Sequence, residues 1–201
     1  MNANNTETNA SQPPAPQRKR ASMFVRILLV FAGLIAAFLV FVAMKPADFR
    51  VTRSIKMAAS PEQVFPQVNT LQSWEGWSPW AKLDPNATLT YQGPPAGVGA
   101  SYSWKGNSEV GEGTSTITES HPHDLVKFKL EFKQPFEDTS IVEFTFQPEG
   151  EQTVVTWSMS GRSNFMGKLV CTFMNMDKMV GGKFEEGLAS MKAIVEGAEK
   201  K

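Results

Sequence analysis

Read from the amino terminus, the chain changes its hydrophobic pattern three times. Residues 1–22 contain almost no large apolar side chains and end in a basic cluster, Arg18-Lys19-Arg20. A segment with so little to bury reads as a disordered tail. Ile27 to Met44 then runs ILLVFAGLIAAFLVFVAM, 18 residues without a charge. At about 1.5 Å per residue this helix is about 27 Å long, close to the roughly 30 Å of a bilayer's hydrocarbon core. Met23 to Val25 extend it, and Arg26 can snorkel. A run apolar on every face is unlike a surface helix. The apolar region of a cleaved signal peptide is only about 7 to 15 residues and ends in a small-x-small site, which Val42-Ala-Met-Lys-Pro-Ala47 matches poorly. The expectation is an uncleaved signal anchor over 23–44.

Beyond it the pattern becomes that of a folded domain over 48–201. Phe49, Val51, Ile55 and Met57 alternate with Arg50, Thr52, Ser54 and Lys56, as in a half-buried strand. Ser60-Pro-Glu-Gln63 supplies an N-cap, a proline at the first helical position and a glutamine at the third, so a short helix with Val64, Phe65 and Val68 is expected. A second short helix or turn carries Leu71 and Trp74 before Trp77-Ser-Pro-Trp80. About six strands follow, separated by glycine and proline turns. Ala100, Tyr102 and Trp104 share a face, as do Val126, Phe128, Leu130 and Phe132, then Val142, Phe144 and Phe146, then Val155, Trp157 and Met159. From about Leu169 the spacing changes to three and four through Phe173, Met176, Val180, Phe184, Leu188, Met191 and Val195. That predicts one long amphipathic helix, bent at Gly181-Gly182. The fold class expected is α+β, an antiparallel sheet whose apolar face is covered by this helix.

Charge changes the picture little. Lys+Arg and Asp+Glu stand at 20 each, with no basic surplus to hold a nucleic acid. Before residue 45 there are four basic residues against Glu7, which leaves 16 basic against 19 acidic beyond. Lys45, Arg50, Arg53 and Lys56 offset the upstream cluster, so charge alone leaves the orientation open. The tighter upstream cluster favours the short N-terminus inside and the domain on the outer, periplasmic side of a cytoplasmic membrane. Cys171 is the only cysteine, which excludes an intrachain disulfide and a thiolate metal site; in an apolar helical stretch it reads as a small core residue.

Several stretches then point to one superfamily. They are Arg53-Ser-Ile, Ser60-Pro-Glu-Gln-Val-Phe65, Trp74-Glu-Gly-Trp-Ser-Pro-Trp80 with Asp84-Pro85, Gly97-Val-Gly99, Trp104-Lys-Gly-Asn107, Val110-Gly-Glu-Gly113 and Phe184-Glu-Glu-Gly-Leu188. In this order they resemble the START/Bet v 1-like (SRPBCC) superfamily in its polyketide cyclase/dehydrase-type branch, over residues 49 to 197. The resemblance implies a helix-grip fold with a cavity between sheet and helix for apolar or amphipathic small molecules. It implies cyclisation or dehydration for some members, but no fixed catalytic motif and no cofactor to carry over.

The residues offer candidate walls for such a cavity. They are Trp77 and Trp80 before the sheet, Tyr102, Trp104, Phe128, Leu130, Phe144 and Trp157 on it, and Met176, Met179 and Phe184 on the closing helix. Cavities of this kind hold about 300 to 1,000 Å³, and methionine repacks around differently shaped ligands. An ordinary packed core uses the same residues. The Trp77–Trp80 indoles have a further reading, at the lipid headgroup level near the anchor. His121 and His123 flank Pro122 in a turn and read as solvated, with no metal expected. Glu75 and Glu112, beside glycines, are general-base candidates only if they reach a cavity. Three functions stay open: a tethered binder or carrier of a hydrophobic small molecule or lipid, a cyclase/dehydrase-like enzyme, and a protein-interaction module with a filled core.

Overall fold

The computed structural model describes residues 23–198; the tail expected over 1–22 lies outside the described residues. The apolar run forms helix α1 (Met23–Met44), long and apolar enough to cross a membrane. The compact folded unit begins at Val42, in its last turn. Lys45, Pro46 and Ala47 alone separate α1 from strand β1 (Asp48–Met57).

Ser60 and Pro61 start α2 (Pro61–Asn69), where the Ser60 backbone N–H donates to Gln63 Oε1 at 2.7 Å and Val64, Phe65 and Val68 are buried. A 3-10 turn (Leu71–Ser73) leads into α3 (Trp74–Trp77) and α4 (Pro79–Leu83). Six strands follow as successive antiparallel neighbours: β2 (Thr88–Gln92), β3 (Ser101–Lys105), β4 (Glu112–His121), β5 (Leu125–Gln134), β6 (Asp138–Glu149) and β7 (Gln152–Arg162). Strand β1 pairs with β7, so the seven-stranded order is β1-β7-β6-β5-β4-β3-β2.

The closing segment differs from the single bent helix expected. It is two helices, α5 (Phe165–Phe173) and α6 (Met176–Ala198). Met174 turns extended (φ −120, ψ 134), and Asn175 Oδ1 accepts from the Lys178 N–H at 2.9 Å, restarting the helix as asparagine does at an N-cap. The break therefore lies at Met174-Asn175. Gly181 and Gly182 fall inside α6, and a Cβ at Gly181 would run into the Arg53 guanidinium. Glycine there lets β1 and α6 approach. Arg53 Nη1 and Nη2 donate to the Asp177 carboxylate at 3.0 and 2.9 Å, and Nε donates to Glu185 at 2.6 Å.

Strand register arranges the apolar face in rows. Arg53, Trp157, Phe144 and Val126 are successive partners across four strands, and Val51, Met159, Val142, Phe128 and Ile117 across five. Helix α6 contributes Phe184, Leu188, Met191 and Val195 to this core, at spacings of three and four.

Candidate functional site

The space between sheet and α6 is occupied by rings. Phe144 stacks on Trp157 (4.7 Å between centroids) and Trp157 on Phe184 (4.1 Å), while Trp74, Trp77 and Trp80 meet Trp157 edge-on at 5.5 to 6.0 Å. Of the expected cavity walls, Trp77, Phe128, Phe144, Trp157 and Phe184 are brought together here, each buried. Trp80, Leu130, Tyr102 and Met176 pack against this core half-buried. Trp104 stands further along the sheet, half-buried against Tyr102 and Phe132. Met179 faces outward, 46% exposed, because its turn of α6 points away from the sheet. The headgroup reading of Trp77 is corrected: it is fully buried and its indole N–H donates to the Gln67 carbonyl at 2.9 Å.

One row of the sheet is thin. Phe49, Gly161, Ser140, Leu130, Ser115, Tyr102 and Tyr91 are successive partners across all seven strands. Three of the seven are Gly or Ser. A Cβ at Gly161 would lie 2.9 Å from the Phe49 ring and 3.0 Å from Ser140 Oγ, so Phe49 covers this part of the row. Ser140 Oγ and the Trp157 indole N–H are buried without a hydrogen-bond partner. Such groups are uncommon, because each forfeits its bonds to water.

Beside Phe49 opens a groove of about 500 Å³. One wall is the segment Lys45–Phe49 that follows α1; the other is Ser163, Lys168, Cys171 and Thr172, with the Phe173–Met176 connection closing it. Two bonds hold the walls together: the Ser163 N–H donates to the Ala47 carbonyl at 2.8 Å, and Lys168 Nζ to the Ala43 carbonyl at 2.9 Å. Cys171, expected in the core, is half-buried at this groove because α5 turns that side toward the linker.

A family model for polyketide cyclase/dehydrase and lipid transport proteins matches residues 48–196. The chain belongs to that family. Solved structures with the family's fold cover most of the domain. A protein of Nitrosospira multiformis is 17% identical with a TM-score of 0.56, over 76% of this chain and 100% of its own. The Aha1 dimer structure from Colwellia psychrerythraea is 19% identical with a TM-score of 0.54, over 74% and 96%. CalU16 from Micromonospora echinospora is 14% identical with a TM-score of 0.50, over 75% and 83%. At such identities they show the Bet v 1-like helix-grip fold. No curated protein matches the chain.

Within this family fold the ionisable candidates lie apart. His121 Nε2 is 3.4 Å from Glu119, and His123 Nδ1 is 3.5 Å from Glu62. Among the described residues no three His, Cys, Asp or Glu side chains converge as a metal site. Glu112 pairs with Lys105 at 3.4 Å. Glu75 accepts the Tyr91 hydroxyl at 2.6 Å, a short charge-assisted bond. Burial, and then that bond, push the Tyr91 phenol well above its ordinary range, and burial pushes Tyr102 up to about 12. Both phenols stand at the far end of the thin row, where Tyr91 donates to Glu75.

Sequence reasoning missed the groove. The Lys45–Phe49 linker carries no motif, and the spacing from Leu169 through Phe173 predicts the start of a longer helix with its apolar residues facing inward, where the structure has the second half of α5.

Proposed function

We propose that this chain is a membrane-tethered binder or carrier of a hydrophobic small molecule or lipid. The observation that carries the reading is the groove between Lys45–Phe49 and α5, whose wall begins at the residue directly after a helix apolar enough to span a bilayer. The family description, which includes lipid transport, supports the same class of ligand. Helix α1 would anchor the chain by residues 23–44, with the short N-terminus inside and the domain on the outer side of a cytoplasmic membrane.

The ligand would enter beside Phe49, Met174 and Met176 and reach the thin row if the Phe49 ring turns aside. There Ser140 Oγ awaits a partner, which favours an apolar molecule bearing a carbonyl or carboxyl oxygen. The aromatic residues from Phe128 to Phe184 would form the floor behind it. Burying eight methylenes at about 0.8 kcal/mol each contributes up to about 6 kcal/mol before ordering costs, a Kd of roughly tens of micromolar at best, so tighter binding requires a longer chain or a polar contact. Titrating a fluorescent fatty-acyl probe into the full chain in detergent micelles tests this. The expected result is saturable one-to-one uptake above that of empty micelles; uptake that never saturates would overturn the reading.

A further inference from the structure

Helix α5 is built inside out. At about 100° per residue, Phe165, Met166, Leu169, Val170 and Phe173 gather on one side, with Lys168, Cys171 and Thr172 on the other. On a soluble core the apolar side turns inward. Here no residue of α5 is buried, and Phe165, Met166 and Phe173 are 44%, 42% and 74% exposed. Lys168, Cys171 and Thr172 of the polar side face the linker across the groove, and Phe173 stands at its closed end. Met174, 49% exposed, continues the outward apolar surface past the helix end.

The attachment of this helix identifies what covers it. The Lys168–Ala43 and Ser163–Ala47 bonds hold α5 against the last turn of α1 and the linker that follows. On the membrane-tether reading, which this inference rests on, Ala43 stands at the boundary between hydrocarbon and headgroups. An exposed apolar helix face pinned at that level meets lipid. We propose that α5 lies in the interface of the bilayer that holds α1, with Phe165, Met166 and Phe173 inserted among the acyl chains. The groove between α5 and Lys45–Phe49 then lies at the bilayer surface, within reach of a molecule that leaves the lipid.

The test uses the full chain in liposomes containing brominated phospholipid. In a Cys171→Ser background, an environment-sensitive fluorophore is placed singly at Met166→Cys, Phe173→Cys, Val30→Cys and Glu151→Cys. Val30 reports the tether. Glu151 stands at the opposite end of β7, roughly 30 Å from α5 at about 3.4 Å per strand residue. The expected result is strong quenching at Met166, Phe173 and Val30 with little at Glu151, each variant keeping the circular dichroism of the unlabelled chain. Quenching at Val30 without quenching at Met166 and Phe173 would overturn the inference while leaving the tether in place. No quenching at Val30 would remove the tether itself. As a second check, Phe165→Ser with Phe173→Ser should cut quenching of the Met166 label at least twofold without lowering the melting temperature; unchanged quenching would count against insertion.

Discussion

The indole of Trp157 and the ring of Phe184 lie face to face, 4.1 Å between centroids and 11° from parallel. This stack joins the middle of β7 to α6, and Phe144 continues it on the next strand. Nearby, a Cβ at Gly187 would come within 2.9 Å of Trp157 and 3.0 Å of Pro79. The helix can lie this close only because glycine stands there.

Phe184→Ala should therefore destabilise the domain by about 3–5 kcal/mol, the usual cost of deleting a buried ring. Gly187→Val should cost about 1–3 kcal/mol or more through overpacking. Chemical unfolding of the full chain in detergent measures both. A loss under 1 kcal/mol for Phe184→Ala would mean that the ring stack is not a fixed part of the core.

The Arg53 clamp should make stability depend on acid. Its hydrogen bonds hold the Asp177 carboxyl below its ordinary value of 3.8. A carboxyl depressed by folding contributes stability above its unfolded value, and that contribution is lost as pH falls through the folded value. Gly181→Ala, whose methyl would displace the guanidinium, should return Asp177 toward 3.8 in a carboxyl NMR titration. Wild type should be the more stable near neutrality, and the gap should narrow at acid pH. A gap that widens toward acid would contradict the clamp.

Two buried hydroxyls should behave oppositely. Thr153 Oγ1 donates to the Ala59 carbonyl at 2.7 Å, whereas Ser140 Oγ has no partner. Thr153→Val should cost about 1–3 kcal/mol, and Ser140→Ala should be neutral or stabilising in the ligand-free protein. Thermal unfolding separates them. If the two cost the same, Ser140 is bonded in solution.

Filling the groove should block uptake without harming the fold. Cys171 lines it half-buried, so Cys171→Trp can be accommodated at the surface. Affinity for a fluorescent fatty-acyl probe should fall at least tenfold with an unchanged melting temperature. Unaltered affinity would move the ligand elsewhere on the sheet.

Much of this architecture was legible in the residues because the strands are clean. Alternation on Val126–Phe132 and Val142–Phe146 determined which side is apolar, and Ser60-Pro61 marked the start of α2. The Phe184, Leu188, Met191 and Val195 stripe was equally plain. What escaped notice was tertiary. Phe165 to Phe173 has the period of a buried helix, and nothing in the period says which way the apolar side turns. The gap at Met174-Asn175 hid behind the more conspicuous glycine pair, whose first member instead makes room for Arg53. Likewise, alternation predicts an aromatic face but not that its rings stack on one another, nor that a groove opens beside the linker.

The central claim, that the tethered domain holds an apolar ligand, is tested most directly by native mass spectrometry of the full chain, expressed in its own host and released from detergent micelles. The account predicts a one-to-one adduct of lipid or hydrophobic-metabolite mass that survives micelle removal, is recovered by organic extraction, and is reduced by Cys171→Trp. A bare chain mass at every activation energy, with nothing extracted above the detergent control, would contradict it.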